Sequence, residues 1–249
     1  MSKRNGFIIA ANWKMYMTTS EAKAFVHSME PMAPDGPKLI LFVPATALAA
    51  ISEEAARKNI AVGLQNMHWE KEGAYTGEIS ADMIRDAGGT QVIVGHSKRR
   101  SMFGETDLEV NFKVRTAQQN GLVPCVCIGE SIEERESGEY RKVLLRQIVG
   151  GLIGVRSAPL VVAYEPVWAI GTGTAATTEQ VSETMRWIRR VLIEQFGREE
   201  GCAIPLLYGG SAKPENVAEL AALDEVNGFL IGRAGLKVDS LKQILDRIP

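Results

Sequence analysis

The stretch LVVAYEPVWAIGTG, residues 160–173, joins a short apolar run to an acidic residue and a glycine-containing segment. Its first five residues are continuously apolar, which is typical of a β-strand buried on both faces. Polar segments with helical periodicity separate this run from others like it, and the alternation predicts parallel βαβ units. The other runs are FIIAA (7–11), LILFV (39–43), IAVGL (60–64), QVIVG (91–95), LVPCVCI (122–128), IPLLY (204–208) and GFLIG (228–232).

Two of the intervening segments have clear helix signals. Thr178 is predicted to cap a helix that carries Val181, Met185, Ile188 and Leu192 on one side and Arg186, Arg189 and Arg190 on others. A second helix is predicted from about 106 to 120, ending at Gly121. Eight βα units in 249 residues fit a single-domain (β/α)8 barrel over residues 1–249. A doubly wound open sheet would alternate in the same way, so the pattern alone leaves that alternative open.

Composition narrows the class of protein. Hydrophobic residues make up 45% of the chain, and the formal net charge is -2, so no overall basic field attracts nucleic acid or an anionic membrane. The three cysteines, Cys125, Cys127 and Cys202, have no CxxC spacing, which argues against a disulfide framework and a zinc site. They indicate reduced thiols in a cytoplasmic protein. No stretch approaches the roughly 18 apolar residues of a membrane span.

Chemistry in such barrels sits at the carboxyl ends of the strands. Each residue found there has an ordinary explanation, such as a solvated lysine, a hydrogen-bonded histidine or a glycine turn. Together they predict a site that binds an anion and moves protons, because glycine loops can bind phosphate through backbone N–H groups and a carboxylate can remove a proton beside a carbonyl. The residues at these ends are Asn12, Lys14, His96, Glu130, Glu165, Ser211, Gly232 and Arg233.

The segment AYEPVWAIGTG (163–173) resembles the flexible-loop signature of the triosephosphate isomerase family. Further segments are similar to those of the family, in the same order and over essentially the whole chain. The resemblance therefore implies the eight-stranded barrel. These segments are NWK (12–14), QN (65–66), GAYTGEIS (73–80), GHS (95–97), FGETD (103–107), CIGE (127–130), YGGS (208–211) and GFLIG (228–232).

The resemblance also implies an activity and catalytic roles. The reaction is the interconversion of dihydroxyacetone phosphate and D-glyceraldehyde 3-phosphate through an enediolate, a step of glycolysis and gluconeogenesis. Glu165 matches the family's proton-shuttling base, and His96 matches its neutral electrophile. Lys14 matches the lysine that holds the anionic substrate, with Asn12 as its hydrogen-bonding neighbour. The family needs no metal, nucleotide or other cofactor, and proton transfer alone suffices.

A mobile lid at about 166–176 is implied as well. Pro166, Val167 and Trp168 match its first hinge, Ala169, Ile170, Thr172 and Gly173 its body, and Thr174 a position in its second hinge. Gly171, Ser211, Gly232 and Arg233 match the positions that offer backbone N–H groups to the phosphate. Lid closure would protect the enediolate phosphate from water.

A homodimer is implied, with an interface loop at about 66–80. Thr76 would reach toward the partner's Asn12 and the partner's Lys14, and Tyr75 lies beside it. Met67, Trp69 and Tyr75 give the loop apolar surface of the kind that interfaces use. The alternative is a long loop folded onto its own barrel.

Two positions depart from the family pattern. The motif HSKRR (96–100) has Lys98 where the family usually has glutamate, and Arg233 stands where a second glycine is usual. An added cation near Lys14 is unfavourable, and its charge would oppose a helix dipole. An active isomerase is the prediction. The alternatives are an impaired barrel that only binds small phosphate or sulfate, and an enzyme acting on another sugar phosphate.

Overall fold

The computed structural model describes residues 6–169 and 176–248. Eight strands and eleven helices alternate in this part of the chain. In chain order these are β1 (Ile8–Asn12), α1 (Thr19–Ser28), β2 (Lys38–Val43), α2 (Ala45–Arg57), β3 (Ala61–Leu64), α3 (Ala81–Asp86), β4 (Gln91–Val94), α4 (Ser97–Phe103), α5 (Asp107–Gln119), β5 (Val123–Ile128), α6 (Ile132–Glu136), α7 (Tyr140–Leu152), β6 (Val161–Tyr164), α8 (Thr178–Phe196), α9 (Arg198–Ala203), β7 (Leu206–Tyr208), α10 (Val217–Ala221), β8 (Gly228–Ile231) and α11 (Val238–Asp246). Two 3-10 helices, Val167–Ala169 and Arg233–Leu236, follow β6 and β8.

The strands close into a parallel barrel in sequential order, β1 to β8. Closure is made by the pairing of β1 with β8, in which Ile8 aligns with Gly228 and Ala11 with Ile231. The predicted (β/α)8 barrel is confirmed, and the open doubly wound sheet is wrong. Because every strand runs in the same direction, the segments that follow the strands meet at one rim.

The side chains of each strand point alternately to its two faces, and this divides the core into two clusters. One cluster fills the barrel lumen and includes Ala10, Cys127 and Ala163. The other lies between strands and helices and includes Ala11, Val162 and Tyr164. Since successive side chains point to opposite faces of a strand, residues two positions after Ala10 and Ala163 continue the lumen series. Asn12 and Glu165 are those residues, so the strand periodicity aims both side chains into the mouth of the barrel.

The two predicted helices form, with differences in detail. The helix α8 begins one residue earlier than predicted, because Thr177 rather than Thr178 is its N-cap and forms a capping box with Gln180. Arg189 of α8, which was expected off the apolar side of the helix, is buried, and its guanidinium binds Glu225, Asn227 and two backbone carbonyls. The helix α5 lies where it was expected, and Gly121 after it has a φ of +72°.

Within residues 6–169 and 176–248, no helix has both the length and the apolar character needed to cross a bilayer.

Candidate active site

Glu165 and His96 are in direct contact at the mouth of the barrel. Glu165 follows β6 and is only 2% exposed. Its Oε1 lies 3.1 Å from His96 Nε2, and its Oε2 accepts a hydrogen bond of 2.9 Å from the backbone N–H of Ser97. The structure therefore brings together the predicted base and the predicted electrophile, which lie 69 residues apart in the sequence.

The hydrogen bonds of His96 define its tautomer. His96 is the N-cap of α4, and its Nδ1 accepts a hydrogen bond of 3.2 Å from the backbone N–H of Lys98. A ring nitrogen that accepts a hydrogen bond carries no proton, so the proton of a neutral imidazole is on Nε2. That N–H faces the Glu165 carboxylate. His96 can thus act as a neutral donor, as the resemblance implied.

Opposing effects act on the Glu165 carboxyl. Burial alone raises its pKa, but the interaction with His96, the N–H of Ser97 and the positive charge of Lys14 together hold the pKa below the usual value. Glu165 is consequently ionised at neutral pH, the state that a general base requires.

Glycines surround Glu165 because there is no room for side chains. A Cβ on Gly209 would lie 2.9 Å from Glu165 Cγ, and one on Gly129 would overlap the Glu165 carbonyl oxygen. A Cβ on Gly210 would collide with the Tyr208 hydroxyl and approach Pro166 Cγ at 3.0 Å. The two glycines of YGGS thus permit the segment after β7 to pack directly against the base and the predicted hinge.

Lys14 and Asn12 are held together at the end of β1. The backbone N–H of Lys14 donates to Asn12 Oδ1 at 3.0 Å, and Lys14 adopts a left-handed backbone with φ +53°. Lys14 Nζ lies 3.5 Å from the position of a Cβ built on Gly232. The ammonium group therefore sits between the ends of β1 and β8, where Gly232 was predicted to bind phosphate.

The other predicted phosphate ligands occupy the same rim. Ser211 follows β7, and its carbonyl accepts a hydrogen bond of 2.8 Å from the Asn216 amide. Arg233 begins the 3-10 helix after Gly232, and its side chain is exposed. Gly171, together with Ile170, Thr172, Gly173 and Thr174, lies outside the described residues.

Glu130 links the predicted hinge to the barrel, a role that the sequence did not predict. Its Oε1 accepts hydrogen bonds of 2.9 Å from Tyr164 Oη and 2.9 Å from Trp168 Nε1, and Arg135 lies 3.5 Å away. Burial raises the pKa of Glu130, although these partners oppose the rise. The sequence feature that could have pointed to Glu130 is its position directly after β5, as the last residue of the motif CIGE (127–130).

The motif HSKRR is not a free basic patch. Arg100 binds Asp107 Oδ1 at 2.5 Å and donates through Nε to the Gly95 carbonyl, and Arg99 Nε lies 3.5 Å from Glu105. Lys98 lies in the first turn of α4, is exposed and forms no ion pair with the described part of the chain.

The loop 66–80 is divided between its own barrel and solvent. Met67 is only 1% exposed and belongs to the barrel's core, so its predicted place on an interface is wrong. Trp69 packs on Phe112 of α5, with 5.7 Å between ring centroids. Residues 70–78 are exposed, and they include Tyr75 and Thr76. The start of the loop, with Met67 and Trp69, therefore packs on its own barrel, as in the alternative of a self-packed loop. The loop tip, residues 70–78, is available for contact.

A buried carboxylate base, a neutral imidazole donor and an ammonium group at one rim suit proton transfer next to the carbonyl of an anionic substrate. A family model described as triosephosphate isomerase matches residues 7–248. The chain belongs to the triosephosphate isomerase family.

Individual triosephosphate isomerases are similar over nearly their full length. One from Moorella thermoacetica is 47% identical over 243 residues, covering 96% of this chain and 97% of the relative. One from Carboxydothermus hydrogenoformans is 46% identical and covers 95% and 96%. A crystal structure of triosephosphate isomerase from Bartonella henselae superposes with a TM-score of 0.86 at 40% identity and covers 97% and 98%.

Proposed function

We propose that the rim around Glu165, His96 and Lys14 catalyses the family reaction, the interconversion of dihydroxyacetone phosphate and D-glyceraldehyde 3-phosphate. The observation that carries this proposal is the contact of 3.1 Å between Glu165 Oε1 and His96 Nε2, combined with the hydrogen bond that leaves His96 Nδ1 unprotonated. An ionised base and a neutral N–H donor thus face the same small volume.

Each side chain has one task in the proton transfer. Glu165 removes a proton from one carbon of the substrate and returns it to the neighbouring carbon. His96 donates its Nε2–H to the oxygen that gains negative charge in the enediolate. Lys14 balances the substrate's anionic charge, and Asn12 fixes the backbone of Lys14 through the 3.0 Å hydrogen bond. Substrate entry must break the contact between Glu165 and His96.

The phosphoryl group fits between the ends of β7, β8 and β1. Backbone N–H groups of Ser211, Gly232 and Arg233 are the proposed ligands there, joined by Gly171 from the lid. Residues 166–176 form the proposed lid. The hydrogen bond of Trp168 to Glu130 supports this proposal because it anchors the first hinge to β5. A closed lid would exclude water from the enediolate.

A homodimer in the cytoplasm is the proposed state of the protein. Exposed apolar side chains near the rim and the loop tip support the dimer, since such groups mark contact surfaces when they cluster. Met15 is 96% exposed, and Tyr16, Tyr75, Met102 and Phe103 are exposed as well. Thr76 and Tyr75 are the proposed contact residues of the loop. The free thiols of Cys125, Cys127 and Cys202 suit a reducing compartment.

The test is a coupled assay of isomerase turnover for the parent chain beside Lys98→Glu and Arg233→Gly. We expect an active parent whose kcat changes less than tenfold in either variant, because both side chains are exposed. A parent without turnover that regains activity through either reversion would refute the proposal. Sedimentation analysis of the parent and of Met15→Asp tests the dimer, which the variant should weaken.

A further inference from the structure

Two exposed cations flank the phosphate end of the rim. Lys213 lies on the loop after β7, and Arg233 follows β8. Both side chains are exposed, and among residues 6–169 and 176–248 neither forms an ion pair. Glu215 lies two residues after Lys213 without pairing with it. Neither side chain has a role in the proton transfer proposed for Glu165, His96 and Lys14.

The barrel closure places these cations beside Lys14. β8 pairs with β7 on one side and with β1 on the other, so the segments that contain Lys213, Arg233 and Lys14 follow three neighbouring strands. Gly232, which precedes Arg233, lies beside the Lys14 ammonium group, and Lys213 follows Ser211 by two residues on the neighbouring segment. The three cations therefore extend from one part of the rim. We call Lys14, Lys213 and Arg233 the cationic sector.

Local hydrogen bonds fix the backbone of both outer members. The Asn216 amide donates to the Ser211 carbonyl, and Asn216 Oδ1 accepts from the Lys213 backbone N–H at 2.8 Å. The 3-10 helix that begins at Arg233 is pinned to β1, because a Cβ on Gly235 would lie 2.8 Å from Ala11 Cβ. Lys213 and Arg233 thus belong to turns of defined shape close to Ser211 and Gly232 in the chain.

The charge of this sector is distinct from that of the whole chain. The chain has a formal net charge of -2, so long-range attraction for an anion has to come from a local group of cations. A patch of one sign raises the local concentration of an oppositely charged substrate and its association rate. This attraction fades as salt shortens the Debye length to about 10 Å at 0.1 M.

We propose that Lys213 and Arg233 are substrate-capturing residues that draw the phosphoryl dianion toward Lys14. The inference rests on the proposed function, since it assigns the phosphate to this end of the rim. The outer cations act on capture of the substrate and leave the proton transfer between Glu165, His96 and the substrate unchanged. Their effect therefore lies in kcat/KM rather than in kcat.

The experiment compares the parent with Lys213→Gln, Arg233→Gln and Arg233→Lys. Lys38→Gln is the matched control, because Lys38 is an exposed cation at the opposite end of the barrel, where β2 begins, and it forms no ion pair with the described part of the chain. Steady-state kinetics are measured from about 0.01 to 0.3 M ionic strength, and binding of inorganic phosphate to each variant is measured by calorimetry.

At low ionic strength we expect each Gln variant to lower kcat/KM and to weaken phosphate binding by about three- to tenfold, with kcat within twofold. The salt dependence should flatten in both, Arg233→Lys should recover most of the loss, and Lys38→Gln should match the parent. Unchanged phosphate binding in both Gln variants, or an equal loss in Lys38→Gln, overturns the inference. An inactive parent that still binds phosphate through the sector would overturn only the proposed reaction.

Discussion

Gly209 lies directly against Glu165, so that a Cβ on the glycine would sit 2.9 Å from Glu165 Cγ and 3.1 Å from the Tyr164 carbonyl oxygen. The end of β7 is thus the wall that holds the proposed base in place. A carboxylate pressed between this wall and the donors on α4 has little freedom, and its position is set by a residue with no functional group.

Gly209→Ala is expected to lower kcat by about 10- to 100-fold, because a displacement near 1 Å of a reacting group can cost about 100-fold. Turnover and thermal unfolding should be measured together. Gly36→Ala is the control, since a Cβ at that glycine meets its nearest atom at an ordinary 3.4 Å and lies away from the rim. Equal rates in the two variants would contradict the proposed role of Gly209.

His96→Gln should reduce kcat by about 10²–10⁴-fold, the range for loss of a positioned proton-transfer group. The glutamine amide can still donate and accept hydrogen bonds, but it lacks the ring that spans Glu165 and the Lys98 backbone N–H. Single-turnover kinetics would separate this chemical loss from substrate binding. A variant within tenfold of the parent would show that His96 is structural.

Acid should destabilise the parent more steeply than a Glu165→Gln variant. The folded-state pKa of Glu165 lies below its unfolded value, which is about 4.3, so the stabilisation by the ionised form exists above that value. It is lost as the pH falls through the lower folded-state pKa. Urea unfolding at pH 7 and at several values below 5 measures this difference. Parallel pH profiles for the two proteins would be inconsistent with the lowered pKa.

Glu130→Ala is expected to destabilise the protein by about 1–3 kcal/mol, because the buried Tyr164 hydroxyl and the half-buried Trp168 indole lose a shared acceptor. If the hinge depends on this anchor, kcat/KM should fall as well. Glu130→Gln keeps an acceptor oxygen and is the matched control for both effects. Thermal unfolding and turnover should be measured for both variants. An Ala variant that is as stable and as active as the Gln variant would contradict the anchoring role of Glu130.

Local sequence was enough to predict most of the barrel. Apolar runs such as LVVAY became strands because each is buried on both faces, and Thr106 and Gly121 bracket α5 through short-range hydrogen bonding and a left-handed turn. Thr177 displaced Thr178 as the cap of α8 because both threonines can accept the same kind of hydrogen bond. Propensity alone does not separate such neighbours.

Side-chain partners from distant segments were not predictable in this way. Arg189 was expected off the apolar side of its helix, and its burial was not predictable, because Glu225, Asn227 and two carbonyls from distant segments supply the polar contacts that its charge requires. Met67 was expected on an interface and instead fills the core. Glu130 had no predicted role because its donors come from β6 and the following 3-10 helix.

The sequence by itself determined the order of eight βα units and the residue types at each strand end, since the strand and helix periodicities are local. Tertiary structure decided which of those ends touch. Closure of β1 on β8 places Lys14 beside Gly232, and the pairing of β6 with β7 brings Glu165 to Gly209. The Glu165 side chain also reaches past β5 to His96 at the end of β4. These contacts join residues far apart in the chain, and their distances follow from the curvature of the closed sheet rather than from any short stretch.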